Sequence, residues 1–179
     1  MNATIAQLPA KASQALPAIL WGGLIGGTLD ILYASVMTML SGSTPDRMLK
    51  GIAAGLLGRG AVSGGLEIAA LGLALHFVIA LGAGTTYYLA SRKLTFMVAH
   101  APLCGPLFGA IVYLVMNRVV LPLSALRVSP PLRLPGLLAV MFLVGLPVAL
   151  SVGRFPRFSG EGAQPLRGKV IGNGSRSET

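Results

Sequence analysis

The sequence predicts an all-α polytopic membrane protein, with four transmembrane helices and a short interfacial helix between the first and second. Three observations predict it. Of 179 residues, 54% are hydrophobic and only 11% are charged, where a soluble domain carries about 25% charged residues. Mean hydropathy is +0.76, and the apolar residues gather in four runs, each of the roughly 18 residues or more needed to cross a bilayer as a helix. Glycine occurs 24 times, and glycine is more frequent in membrane helices than in soluble ones. One domain is the natural count for this length.

Residues 1–16 read as a weakly polar N-terminal arm. The first span is expected over 17–40, opening on Pro17, which a first helical turn accepts because its missing N–H has no partner there. The run is longer than the roughly 7–15 residues of a signal-peptide core, so it reads as an uncleaved span. Gly22 and Gly26, and Gly23 and Gly27, make two overlapping small-xxx-small pairs that let another helix come close. One turn further stands Asp30, a carboxylate near mid-span. An ionisable group there costs roughly 2.5–3.5 kcal/mol on insertion scales and normally faces protein or water.

The turn Ser41–Asp46 carries helix-start chemistry, with Thr44 as N-cap, Pro45 at the first position and Asp46 at the positive end of the dipole. The following segment, 45–58, is too short to span. It alternates Met48, Leu49, Ile52, Leu56 and Leu57 with Arg47 and Lys50, which reads as an amphipathic interfacial helix; Gly51, Gly55 and Gly58 leave a re-entrant segment as the alternative. After a loop over 59–65, the second span is expected over 66–89, with Glu67 at its start and His76 in its middle. Tyr87 and Tyr88 mark its interface, and Arg92 and Lys93 close it in a polar turn. The third span, 98–121, holds Gly105 and Gly109 as a further close-packing pair, with Pro102 and Pro106 bending its start and Asn117 and Arg118 at its end. Proline density over 121–135 breaks regular structure. The fourth span follows over 134–152, and 153–179 reads as a disordered basic tail.

Net charge is +9, but the basic residues are spread through loops and tail, which argues for orientation in a bilayer and against a nucleic-acid partner. A single cysteine, Cys104, rules out an intramolecular disulfide and a cysteine zinc site, and is read as a small packing residue. His76 and His100 differ in depth by roughly 15–20 Å, so they are not paired axial ligands of one haem. No metal or cofactor is expected. No nucleophile elbow, P-loop or HExxH motif is present, so the chain is not read as an enzyme.

Asp30 lies about ten residues from the end of span 1 and His76 about ten from the start of span 2. Both are therefore roughly 15 Å from the same interface, and antiparallel neighbours would bring them level. The pair has two readings. One is a polar clamp fixing helix register, worth roughly 0.6–2 kcal/mol, which is preferred because one pair is thin for a transport path. The other is a proton-responsive site. Glu67 is expected to reach Arg59 or water. Asn117 and Arg118 are secondary, with Arg118 snorkelling to headgroups, and Trp21 and the tyrosines serve as interface anchors. Four spans put both termini on one side. Eight basic residues lie on that side (Lys11, Arg92, Lys93, Arg154, Arg157, Arg167, Lys169, Arg176) against six opposite (Arg47, Lys50, Arg59, Arg118, Arg127, Arg133), which places the termini in the cytoplasm.

Three stretches carry a resemblance: Gly26-Gly27-Thr28-Leu29-Asp30-Ile31-Leu32-Tyr33, then Leu73-Ala74-Leu75-His76-Phe77-Val78-Ile79-Ala80, then Tyr113-Leu114-Val115-Met116-Asn117 followed by Val119-Val120-Leu121-Pro122-Leu123. Together they resemble a family of small bacterial inner-membrane proteins of unknown function over about 19–152. More distantly, helix order and the histidine-bearing middle helix resemble the YagU-like inner-membrane proteins, which are associated with acid tolerance. The resemblance implies a multi-pass inner-membrane location and no catalytic residues. The expected function is a non-enzymatic accessory or stress-related bundle, self-associating through the glycine faces of spans 1 and 3. The alternative is a small proton-responsive channel or transporter built on Asp30 and His76.

Overall fold

The computed structural model describes residues 15–155. The arm and tail expected at the two ends lie, apart from residues 15–16 and 153–155, outside the described residues. Six helices follow in order: α1 (Ala15–Leu40), α2 (Pro45–Leu57), α3 (Leu66–Lys93), α4 (Phe96–Ala99), α5 (Ala101–Leu123) and α6 (Leu134–Arg154). Helices α1, α3, α5 and α6 are long and apolar enough to cross a membrane. Their outer faces keep Leu20, Leu24, Leu32, Leu103, Leu107 and Ile111 exposed. A soluble monomer rarely shows so extended an apolar surface, whereas lipid covers it. The protein is an all-α polytopic membrane protein.

The core sits where α1, α3, α5 and α6 meet and is built from small residues and one ring: Ala18, Tyr87, Val144, Val148, Ala149 and Val152. Helix α1 is the hub, packed on α3 along one side and on α6 along the other. Its two glycine pairs serve the two sides separately. A Cβ on Gly22 would stand 3.1 Å from the Val148 Cα, and one on Gly26 3.3 Å from the Val144 Cα, both on α6. A Cβ on Gly23 would stand 3.0 Å from the Leu81 Cα, and one on Gly27 3.0 Å from the Ala80 Cβ, both on α3. On α5, Gly105 and Gly109 meet α6, where a Cβ on Gly109 would lie 2.6 Å from the Met141 Cα. With little hydrophobic drive between helices in lipid, such backbone approach is what holds spans together. The faces expected to receive a second copy are thus filled from within the chain.

Several boundaries move for identifiable reasons. Helix α1 begins two residues before Pro17. Helix α3 runs on through Arg92 and Lys93, because both are good helix formers and their charge suits the negative helix end. The third span is interrupted. Phe96–Ala99 forms a turn of its own, and His100 leaves the helical region at φ −116° and ψ 39°. Pro102, one of the first residues of α5, has no N–H to continue a ladder from α4 and its ring opposes the carbonyl four residues back. Two π-helical turns widen the later spans, Met116–Val120 in α5 and Val140–Gly145 in α6. The 59–65 loop contains a 3-10 turn, Arg59–Ser63.

Helix α2 starts as expected at Pro45, after Thr44 in extended conformation, yet the Thr44 hydroxyl caps no backbone N–H. It bonds the Asp46 carboxylate instead. The helix buries Ala53 and Ala54 and packs on α3, where a Cβ on Gly72 would collide with the Leu49 carbonyl. At its far end the Gly55 carbonyl accepts the Ala125 N–H at 2.9 Å, tying α2 to the segment after α5.

Candidate functional site

Polar side chains inside the spans are few, and the antiparallel pairing of α1 with α3 decides which of them meet. Gly27 lies against Phe77 and Ala80, so the turn of α1 holding Gly27 and Asp30 is level with the turn of α3 holding His76. The imidazole is drawn to the backbone: His76 Nε2 donates to the Gly27 carbonyl oxygen at 2.9 Å. This bond fixes the neutral tautomer as Nε2–H and leaves Nδ1 as the acceptor. The ring also meets Phe77 edge-on, with centroids 5.5 Å apart.

Asp30 is half-buried and close enough to His76 for the two to interact electrostatically. No hydrogen bond or ion pair joins them; among the described residues the one salt bridge is Lys50 to Asp46, at 3.1 Å. The structure therefore brings Asp30 and His76 to one site without a direct contact, and the inter-helix bond that the sequence reading assigned to the pair is made between His76 and the α1 backbone. A lone histidine in a sequence does not reveal a carbonyl acceptor 49 positions away. The available signal was Gly27 itself, since a residue without a side chain exposes its carbonyl to a neighbour.

The other expected polar residues lie elsewhere. Glu67 does not reach Arg59; its Oε1 accepts the Gly65 N–H at 3.0 Å and so satisfies the start of its own helix. Asn117 sits in the π turn of α5, where its Nδ2 donates to the Tyr113 carbonyl at 2.8 Å. Arg118 is exposed in the same turn, inside the span rather than at its end. The helix start and the π turn therefore account locally for Glu67 and Asn117.

Tyrosines do more than anchor an interface. Tyr87 is fully buried, packs edge-on against Phe108 with centroids 5.1 Å apart, and donates its hydroxyl to the Met97 carbonyl at 3.0 Å. It thereby holds the α3–α4 corner. Tyr113 bridges both backbone groups of Arg133: its hydroxyl donates to the carbonyl at 3.1 Å and accepts the N–H at 2.9 Å. That fastens the entry to α6 onto α5. Ser151 Oγ donates to the Ala18 carbonyl at 3.0 Å and joins α6 to α1. Each of these bonds, like that of His76, runs from a side chain to the backbone of another element.

His100 is exposed, with Nδ1 3.3 Å from the Phe96 carbonyl, and Cys104 is a free thiol, half-buried. Among the described residues no three His, Cys, Asp or Glu side chains converge as metal ligands. No protein-family model, characterised protein or solved structure matches the chain.

Proposed function

We propose that the chain is a non-enzymatic helix bundle of the bacterial inner membrane with an accessory or stress-related role, in which the buried polar groups hold spans together. The observation that carries this reading is the His76 Nε2–Gly27 carbonyl bond, which commits the mid-membrane imidazole to helix pairing. The bond belongs to a set of side-chain-to-backbone clamps made by Tyr87, Tyr113 and Ser151. Such clamps fix register where lipid supplies no hydrophobic drive between helices. The resemblance to YagU-like proteins supports the stress-related part.

A second reading, a proton-responsive channel or transporter, is favoured by one observation: Asp30 stands beside His76 without a hydrogen bond to it. Neighbouring acid and imidazole inside a membrane are components of proton relays. The two readings separate in proteoliposomes. A clamp predicts proton flux equal to that of protein-free liposomes from neutral to acid pH, together with loss of acid-shock survival only in variants that also unfold more readily. A pH-dependent flux that disappears in Asp30→Asn, with stability unchanged, overturns it.

A further inference from the structure

We propose that the hollow between the start of α2 and the Arg59–Ser63 turn is a binding site for the phosphate headgroup of an anionic phospholipid. It is an open depression of about 440 Å³ lined by Thr44, Asp46, Arg47, Lys50, Arg59, Val62 and Ser63.

The charges around the hollow favour an anion. The hollow holds three cations and one acid, and the acid is already occupied. Asp46 takes the Thr44 hydroxyl first and the Lys50 ammonium at 3.1 Å, which hold its carboxyl below the usual aspartate range. The Lys50 side chain is only 16% exposed and is directed to that carboxylate. Arg47 and Arg59 remain, from two different elements, both exposed, and neither guanidinium has a hydrogen bond or ion pair to a described residue. Two guanidinium groups bordering one concavity repel each other unless an anion lies between them. The planar fork of arginine matches phosphate oxygens two at a time.

Its position favours a lipid. The hollow lies where α1 has just ended and α3 is about to begin, at the boundary of the spans, which is the depth of lipid phosphates. In the chain the Arg59–Ser63 turn is flanked by Leu56 and Leu57 at the end of α2 and Leu66 at the start of α3, exposed at 63%, 53% and 78%, a surface suited to acyl chains and of no use to a free phosphate ion. Helix α2 is fixed on α3 at Gly72 and to Ala125 through Gly55, so the arginine on α2 is presented from a held element. Ala15 and Phe155 lie at the other end of the bundle, where Ser151 bonds Ala18.

The test uses the full chain in nanodiscs of phosphatidylcholine alone or of phosphatidylcholine with phosphatidylglycerol. Thermal unfolding and native mass spectrometry report stabilisation and retained lipid. The expected result is a higher melting temperature and one retained phosphatidylglycerol for the wild type. Arg47→Gln/Arg59→Gln should melt like wild type in phosphatidylcholine but lose most of the rise, with lipid retention weakened about fivefold per arginine. Arg92→Gln/Lys93→Gln, at the opposite end, should keep the rise. An equal rise in the Arg47/Arg59 variant overturns the site and leaves general surface attraction. Inorganic phosphate reproducing the full rise in phosphatidylcholine nanodiscs overturns the lipid as ligand. Should the glutamine pair melt lower in phosphatidylcholine, Arg47→Lys/Arg59→Lys decides: it keeps charge without the fork, and undiminished lipid retention overturns the proposal.

Discussion

His76 bonds a backbone carbonyl on the helix opposite, and this has a consequence that separates it from an acid–histidine pair. Any side chain that places an N–H near that carbonyl should serve. His76→Gln, with its amide donor, is expected to keep most of the stability of the wild type. His76→Phe fills the space, leaves the donor out, and is expected to cost roughly 0.6–2 kcal/mol, the range for inter-helix hydrogen bonds in lipid. Unfolding in mixed detergent micelles reads both. Equal loss in the two variants would mean that the ring's shape matters and not its hydrogen bond. At this scale the sequence singles out the right atoms to worry about but not their partners. Asp30 and His76 can be placed level by counting 1.5 Å per residue. Counting does not show that the imidazole is directed at Gly27, nor that Glu67 folds back on Gly65, because backbone acceptors carry no residue identity to read.

At the scale of elements, the four spans are legible because length and apolar content are all that a bilayer demands of them. Their internal irregularities are not. Neither π turn is announced by its residues. The one in α6 lies between two glycine seams, with Val140 and Met141 against Gly109 of α5 and Val144 against Gly26 of α1. The glycines are visible in sequence as packing pairs, but which helix each pair receives depends on the arrangement of all four spans. The seams differ in how much they forgive. A Cβ on Gly109 would lie 2.6 Å from the Met141 Cα and from the Val140 carbonyl oxygen, both backbone, so relief requires α5 and α6 to part. Gly109→Ala is expected to cost about 1–3 kcal/mol, as overpacking does. Gly82, in α3, has nothing within 4 Å of such a Cβ, and Gly82→Ala should be neutral or gain up to about 1 kcal/mol from the better helix former. Melting temperatures of the two variants in one detergent make the comparison. A Gly109→Ala protein as stable as Gly82→Ala would show that the α5–α6 seam is looser than drawn.

For the whole molecule, an even number of spans brings Ala15 and Phe155 to one end, and the remaining question is which side of the membrane that end occupies. The positive-inside rule weighs short loops and roughly the first 15–20 residues beyond a span, and gives distal charges little weight. The structure refines the count in one place: Arg118 lies inside α5, five residues before its end at Leu123, and so belongs to neither side. Arg176 is too far along the chain to count. Lys11, Arg92, Lys93, Arg154, Arg157, Arg167 and Lys169 then make seven at the end of the termini, against Arg47, Lys50, Arg59, Arg127 and Arg133, which make five. The expected orientation has the α3–α4 corner in the cytoplasm and the Arg59–Ser63 turn outside. Two cysteine reporters in a Cys104→Ala background test it. Gly60 has nothing within 4 Å of an added Cβ, and Thr95 is exposed at the α3–α4 corner, so each position accepts the thiol without disturbing a seam. A membrane-impermeant maleimide applied to intact spheroplasts should label Gly60→Cys and spare Thr95→Cys until the cells are opened. The reverse pattern would invert the topology, place the Arg47–Arg59 hollow in the cytoplasmic leaflet, and show that the five basic residues around α2 and the α5–α6 connection outweigh the seven at the chain ends.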